Sequence, residues 1–164
     1  MSEGVLIYGK GTKRKARDLQ SFADVVLDRK RNNGSYFVID KVDGRIIRNL
    51  KERGIDVKST KAVITDETVR KYKDHAKREK GAAVSLKRFA MVEHAVKHPK
   101  NVYIDKNRDR LVYVSATGYN SKKVIKVILE PNQRFKKKYF FNVVSIGVVK
   151  KVDMDKQPQY EKIK

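Results

Sequence analysis

The sequence predicts an α+β fold in which two helices are followed by a four-stranded antiparallel meander sheet, with an N-terminal βαβ-like extension. Apolar residues recur at helical spacing in two successive segments near the middle of the chain. The last third carries four apolar runs, separated by links short enough for antiparallel hairpins. With 164 residues the chain is long enough to bury a sizeable core. Helices followed by a run of strands are typical of the α+β class.

The N-terminal extension is assigned to residues 1–60 and contains two predicted strands and two predicted helices. In chain order these are a strand at 5–8, a helix over 16–27, a strand at 36–39 and a short helix around 46–50. Asn32-Asn33-Gly34 is a helix-ending cluster, and Gly54 closes the short helix. A hairpin turn at Asp43-Gly44 remains open as the alternative to that short helix.

The main α+β domain is assigned to residues 61–164. Thr65-Asp66-Glu67 supplies a capping hydroxyl and two acids for a first helix, which ends at Gly81. Ser85 caps a second helix, which must stop before Pro99. Four strands follow without another helix, at 102–105, 111–116, 124–129 and 139–149.

The charge balance indicates a polyanionic partner. The chain has 40 Lys and Arg against 19 Asp and Glu, a formal net charge of +21, and this excess is spread along its length. Such a surface attracts nucleic acid first, with an anionic membrane or an acidic protein as alternatives. The absence of cysteine excludes thiolate zinc sites, disulfides and cysteine nucleophiles. No apolar run is long enough for a membrane span and no signal-peptide pattern follows Met1, so we expect a cytoplasmic protein that does not act at a membrane.

Strand alternation predicts one open sheet face with polar and aromatic side chains. Ile125, Val127 and Leu129 share a face, which is expected to pack on the helices and leaves Lys126 opposite. The same argument applied to the second and fourth strands gives an open face carrying Tyr113, Ser115, Lys126, Phe141 and Ser145. A lysine between hydroxyls and aromatic rings could hold a phosphate and a stacked base. An ordinary solvated face is the alternative.

A basic run is predicted in the loop that precedes the last strand. The run is Arg134-Phe135-Lys136-Lys137-Lys138, in which an aromatic ring among cations could stack on a base. Together with Lys87 on the second helix, these residues are the predicted RNA contacts. No metal site is predicted, since His94 and His98 have the spacing of a ligand pair but lack a third ligand.

His75 is the predicted acid–base group. It lies late in the first helix of the main domain, among four cations that favour its neutral form near pH 7. A neutral imidazole can move a proton to or from a ribose hydroxyl or a leaving oxygen. A helix-surface histidine without a role is the alternative.

Residues 62–164 resemble a known nuclease family. The resemblance begins with the helix that follows Thr65, which carries His75 near its end, and with the second helix, whose last residues are 92–99. It continues in three strands: Val102-Tyr103-Ile104-Asp105, Leu111-Val112-Tyr113-Val114-Ser115 and Asn142-Val143-Val144-Ser145-Ile146-Gly147. This order of elements is similar to the phage-associated branch of the barnase, EndoU, colicin and RelE-like nucleases.

The resemblance implies a metal-independent endoribonuclease of a toxin-like kind, with no cofactor. Such enzymes promote attack of a ribose 2′-hydroxyl on the adjacent phosphate. By position, His75 would be the acid–base group, Lys126 the phosphate stabiliser, Ser115 and Ser145 hydrogen-bond donors, and Tyr113 a residue that orients the ribose or stacks on a base. The implied partners are RNA, with transfer RNA as a candidate, and an acidic immunity or antitoxin protein.

Two other functions remain open from the sequence. One is a non-catalytic RNA- or DNA-binding basic protein of phage or mobile-element origin. The other is a structural protein whose charge serves packaging. The sheet carries no histidine, and Glu130 at the end of the third strand is the nearby carboxylate, so the acid–base pair of barnase-type enzymes is not reproduced.

Overall fold

A nine-stranded mixed sheet, packed against helices, forms the body of the protein in a computed structural model. The structure describes residues 3–8, 12–14, 16–28, 34–78, 86–118, 121–135, 137–154 and 156–164, with the backbone alone described at 3–8, 12–14, 73–78 and 86–87. The strands are β1 (Glu3–Tyr8), β2 (Thr12–Arg14), β3 (Tyr36–Lys41), β4 (Lys61–Thr65), β5 (Asn101–Asp105), β6 (Arg110–Ala116), β7 (Lys123–Phe135), β8 (Lys138–Lys150) and β9 (Tyr160–Lys162). The helices are α1 (Leu19–Asp28), α2 (Gly44–Glu52), α3 (Asp66–Arg78), α4 (Leu86–Lys97) and α5 (Lys151–Met154).

The α+β class is confirmed, but the sheet is not a four-stranded antiparallel meander. Its strand order is β2-β1-β3-β4-β8-β7-β6-β5-β9, so the four predicted strands are consecutive neighbours inside a larger sheet. All neighbours are antiparallel except β4 and β8, which pair in parallel at Ala62–Phe141 and Val63–Asn142. The extension is not a parallel βαβ unit either, because β1 pairs antiparallel with β3. A connection of this length permits both orientations, so the pattern strand–helix–strand could not distinguish them.

Residues on both sides of position 60 contribute to the sheet and to the main core. Strand β3 pairs antiparallel with β4 along its length. Phe22 and Phe37, from the first sixty residues, lie in one buried cluster with Phe89 and Phe141 from the remainder. The two assigned segments therefore contribute to one continuous sheet and one main core.

Helix boundaries agree with the capping residues. Helix α3 begins directly after Thr65, whose Oγ1 accepts the backbone N–H of Thr68 at 3.3 Å. Asp43 caps α2, accepting the N–H of Arg45 at 2.8 Å, so the alternative hairpin turn there is wrong. Gly54 closes α2 with a φ of 86°, a conformation that favours glycine. The predicted helix signals at 32–33, 81 and 85 lie outside the described residues.

The sheet faces agree with the prediction for β7 and differ from it for β6 and for Phe141 in β8. The helix-side face carries Leu111, Tyr113, Ile125, Val127 and Phe141, all within the main core. The opposite face, called the outer face below, carries the residues that alternate with these. Part of the outer face is apolar as well, since Val112, Val114, Val124 and Met154 form a second buried cluster. Strand β6 is therefore buried on both sides, and its alternation could not show which side meets the helices.

Candidate nucleic-acid interface

The β7–β8 hairpin is basic at its turn end. Its ladder runs from the pair Lys123–Lys150 to the pair Phe135–Lys138, with the exposed Lys137 in the turn. Lys137 has a φ of 67°, a left-handed conformation that tight hairpin turns commonly contain. The loop predicted to carry the basic run before the last strand is much shorter than expected, because β7 continues to Phe135 and β8 begins at Lys138. Lys136 itself lies outside the described residues.

Aromatic rings gather on the outer face beside this turn. The ring of Tyr36 lies 5.4 Å from that of Phe135, edge-on, and 5.6 Å from that of Phe140. A cleft of about 340 Å³ opens here, and we call it the tip cleft. It is lined by Tyr36, Val38, Thr60, Lys61, Lys138, Tyr139 and Phe140. No carboxylate is among these lining residues.

Cations surround the tip cleft. Lys58 Nζ lies 5.3 Å from the ring centroid of Tyr139, within the range of a cation–π contact. The Tyr139 side chain is large and 38% exposed, so this ring is offered to solvent. The other cations at this end of the sheet are Lys61, which lines the cleft, and the exposed residues Arg134, Lys137 and Lys138. Exposed rings between cations are the arrangement that holds stacked bases and their phosphates in single-stranded nucleic acid.

Asn132 fixes the segment that carries Lys58. It lies where the β7–β8 register shifts, with a φ of 59°. Its Oδ1 accepts the backbone N–H of Lys58 at 2.7 Å, and its Nδ2 donates to the carbonyl of Asp56 at 2.6 Å. Its own N–H donates to Ser59 Oγ at 2.9 Å. One side chain and its backbone thus hold three residues of the loop against the hairpin.

The five residues predicted to share an open face are divided between two faces. Lys126 pairs with Gly147, and Ile128 pairs with Ser145, which places Lys126 and Ser145 together on the outer face. Tyr113 and Phe141 are buried in the main core, 3% and 0% exposed. Ser115 alternates with the outer-face residue Val114, so it lies on the helix side with Tyr113, and it is 5% exposed. That prediction is therefore wrong for three of the five residues.

Tyr113 is placed where it cannot stack on a base. Burial raises the pKa of its phenol, and the nearby charges of Asp43 and Asp40 raise it further. The phenol therefore stays protonated inside the core. The role that the family resemblance implied for Tyr113, orienting a ribose or stacking on a base, does not fit this position.

A second cleft lies where α3 meets β8. Its volume is about 170 Å³, and it is lined by Thr68, Lys71, Tyr72, Val144, Ser145 and Ile146. Thr68 Oγ1 donates to the carbonyl of Val143 at 3.1 Å, which fixes the helix against the strand. His75 follows Tyr72 by three residues on α3, nearly one helical turn, but its side chain lies outside the described residues. The side chain of Lys87 likewise lies outside them.

Two exposed histidine rings lie close together at the end of α4. The rings of His94 and His98 are 5.3 Å apart, centroid to centroid. Within the described part of the chain, no group of three or more His, Cys, Asp or Glu residues could hold a metal ion. No helix found there has the length and apolar character required to cross a bilayer.

Several residues of the tip cleft were not predicted from the sequence. Tyr36, Tyr139 and Phe140, which line the cleft, and Lys58 and Asn132, which lie beside it, come from three separate segments that the fold brings together. The two aromatic pairs Tyr36-Phe37 and Tyr139-Phe140 were a usable signal. In a strand, one ring of such a pair must face away from the core.

Comparisons with known proteins give no relative: no family model, no curated protein and no solved structure matches this chain.

Proposed function

We propose that this protein binds single-stranded RNA, with the tip cleft as the place where bases stack. The observation that carries the proposal is the group of rings Tyr36, Tyr139 and Phe140 lining one cleft together with Lys61 and Lys138. Stacking of a base on an aromatic side chain contributes about 1–3 kcal/mol and tolerates any base. The net charge of +21 adds a sequence-independent attraction for phosphates.

The exposed ring and its neighbouring cation support this proposal most directly. Tyr139 is the most accessible ring at the cleft, and Lys58 approaches it from the loop that Asn132 holds. A base that stacks on Tyr139 would place its phosphate within reach of Lys58, whose Nζ lies 5.3 Å from the ring centroid. A single strand fits this arrangement better than a duplex, because the bases of a duplex are already stacked and their flat faces are covered.

A binding measurement with matched variants tests the proposal. Fluorescence anisotropy with a labelled oligouridine should show that Tyr139→Ala weakens binding at least about fivefold, the lower limit for removing the ring under one stacked base. Tyr139→Phe keeps the ring and should bind within about twofold of the wild type. Equal affinity of Tyr139→Ala and the wild type would remove the cleft from the binding surface. Tighter binding to a duplex of the same length would contradict the preference for single strands.

The charge contribution needs its own control. Lys138→Gln removes a cation at the cleft, whereas Lys106→Gln removes an exposed cation in the turn between β5 and β6. We expect a clear loss of affinity for the first variant and little change for the second. Equal losses would show that the protein attracts RNA by its overall charge and not through this site.

The second candidate function is RNA cleavage without a metal, as the family resemblance implied. It is favoured by the cleft between α3 and β8, where Lys71, Tyr72 and Ser145 lie together and α3 continues to His75. In the proposed reaction the 2′-oxygen loses its proton and bonds to phosphorus. The bond from phosphorus to the 5′-oxygen then breaks, and that oxygen takes up a proton. Lysine and hydroxyl donors would stabilise the charge that develops on the phosphate.

An acidic inhibitor belongs to this second candidate. If the chain is a toxin, a negatively charged immunity or antitoxin protein would compete with RNA for the same cations. Growth of cells that express the chain alone tests this, since an active ribonuclease should arrest them. Normal growth at high expression would remove the toxin and its required partner together.

A further inference from the structure

A second group of cations lies at the end of the sheet opposite the hairpin turn. Lys100, Lys123 and Lys151 line a cleft of about 400 Å³. Lys150 pairs with Lys123 at the last position of the β7–β8 ladder, and all four lysines are exposed. Within the described ranges, none of the four forms an ion pair with a carboxylate. We call these four residues the lysine end.

The β7–β8 hairpin connects the lysine end to the tip cleft. Strand β7 has 13 residues from Lys123 to Phe135. At about 3.3 Å per residue, it spans at most about 40 Å. The same two strands therefore carry Phe135 and Lys138 at one end and Lys123 and Lys150 at the other.

The outer face is open at its centre, next to the buried cluster of Val124 and Met154 that adjoins the lysine end. Lys126 pairs with Gly147 there, and the neighbouring Ser145 is exposed. A Cβ placed on Gly147 would meet nothing within 4 Å. A half-buried lysine beside an uncovered backbone leaves room for a phosphate chain to pass close to the sheet.

We propose that RNA bound in the tip cleft continues along the outer face, over Gly147 and Lys126, to the lysine end. This inference rests on the proposed function. The occupant is one continuous single strand, because its repeated phosphates match the cations at the tip cleft, at Lys126 and at the lysine end. There Lys100, Lys123 and Lys151 share a cleft with the outer-face residue Val124. The length of the track falls within the range of about 4–16 nucleotides that single-strand binding folds accommodate.

Oligonucleotides of two lengths test the track. A short oligouridine of about 4 nucleotides can occupy only the tip cleft, whereas one of about 12 can reach the lysine end. In the triple variant Lys100→Gln, Lys123→Gln, Lys151→Gln, the longer strand should bind at least about tenfold more weakly, while the shorter one should bind within about twofold of the wild type. The slope of log K against log salt for the longer strand should fall by about 2, because each neutralised phosphate contributes about 0.7 to it. Salt near 0.15 M screens distant charges beyond about 8 Å and so limits their general effect.

A charge placed at the centre of the face tests its continuity. Gly147→Glu introduces a carboxylate beside Lys126 where there is space for it. It should weaken binding of the longer strand and leave the shorter one unchanged. Ala90→Glu, on the exposed side of α4 in the helical layer, makes the same charge change away from the track and should affect neither. Circular dichroism of each variant confirms that it is folded.

Each outcome decides between alternatives. Equal weakening of both strands by the triple variant, or no weakening of the longer one, would overturn the track. An unchanged longer strand in Gly147→Glu would show that the two ends bind RNA separately and would also overturn it. Failure of the wild type to bind either strand would instead overturn the proposed function on which the track depends.

Discussion

Asn132 Oδ1 accepts a hydrogen bond from the backbone N–H of Lys58 at 2.7 Å, across 74 residues of sequence. This bond, with the bonds from Asn132 to Asp56 and Ser59, ties the loop after α2 to the β7–β8 hairpin. It therefore determines where Lys58 meets Tyr139. The position of Lys58 beside the tip cleft therefore depends on one asparagine in a left-handed conformation.

Replacing Asn132 should loosen this loop and destabilise the fold. In Asn132→Ala we expect a loss of about 2–4 kcal/mol in the free energy of unfolding, since each hydrogen bond contributes about 1 kcal/mol and a left-handed alanine costs about 1–2 kcal/mol. Asn132→Gly loses the same side-chain bonds but tolerates the positive φ, so it should be the more stable of the two by about 1 kcal/mol. Urea unfolding measures both, and equal stability of the two variants would contradict the backbone argument.

The elements with a strong local pattern were predicted from the sequence, and those set by long-range pairing were not. Thr65 and Asp43 cap helices through neighbouring residues, so their signals are local. The parallel pairing of β4 with β8 joins residues nearly eighty positions apart and involves two residue pairs. No periodicity within either strand encodes that choice.

The candidate site was only partly predictable for a similar reason. The cations of the basic run and the outward position of Lys126 followed from composition and alternation. The two faces of β6 were assigned wrongly because apolar residues lie on both of them. The helices cover one face and Met154 covers the other. Tyr36, which lines the cleft from β3, and Lys58, which lies beside it on the loop after α2, both come from the first sixty residues.

Phe141 should behave as a core residue. It is fully buried in the main core, on the strand that pairs with β4. Phe141→Ala should therefore lower the free energy of unfolding by about 3–5 kcal/mol, through lost transfer energy and a cavity. Tyr139→Ala, at an exposed ring two residues earlier, should reduce stability much less while reducing RNA affinity more. Thermal unfolding compares the two, and a mild effect of Phe141→Ala would place its ring on the surface.

The salt bridge between Asp43 and Lys164 should make the free energy of unfolding depend on pH in the acid range. The hydrogen bond from Lys164 Nζ to Asp43 Oδ2, 2.5 Å long, lowers the pKa of this carboxyl, as does the N–H of Arg45 at the start of α2. Because the folded pKa is lower, this stabilisation is fully present above the ordinary carboxyl pKa. It is lost as the pH falls through the folded pKa.

Two substitutions at Asp43 separate its charge from its capping role. Asp43→Asn keeps an N-cap oxygen and should retain most of the stability at pH 7, while reducing the fall in stability toward acid pH. Asp43→Ala loses the cap and should cost about 1 kcal/mol at pH 7. Urea unfolding between neutral and acid pH measures this. An acid dependence that is identical in the wild type and Asp43→Asn would assign it to other carboxyls, such as Asp18, whose pKa is also lowered, chiefly by the backbone N–H of Ser21.

Cleavage, if it occurs, should survive EDTA and depend on the cleft between α3 and β8. We expect His75→Ala to lower the rate by about 10²–10⁴ and to remove one limb of the pH–rate profile. Lys71→Ala should cost up to about 10²–10³, the scale of one preorganised donor. The same factor is expected for Lys126→Ala only if the scissile phosphate lies on the outer face. Gel analysis of RNA with a cyclic-phosphate assay measures each rate.

The opposite results would assign the protein to binding alone. Intact RNA after long incubation with a concentrated wild-type protein would exclude the nuclease. A rate abolished by EDTA would contradict the metal-independent reaction. A fully active His75→Ala variant would remove the acid–base role from α3.

Photocrosslinking of bound RNA tests the central claim most directly, because it identifies the contacted residues without a substitution. A short oligouridine with a photoreactive base, bound to the wild-type protein and irradiated, should crosslink to the peptides that contain Tyr36 and Tyr139, the rings that line the tip cleft. Unlabelled single-stranded RNA should compete these crosslinks away. Crosslinks confined to the helical layer, for example at the exposed surface of α4, would contradict the assignment of this cleft as the place where the bases stack.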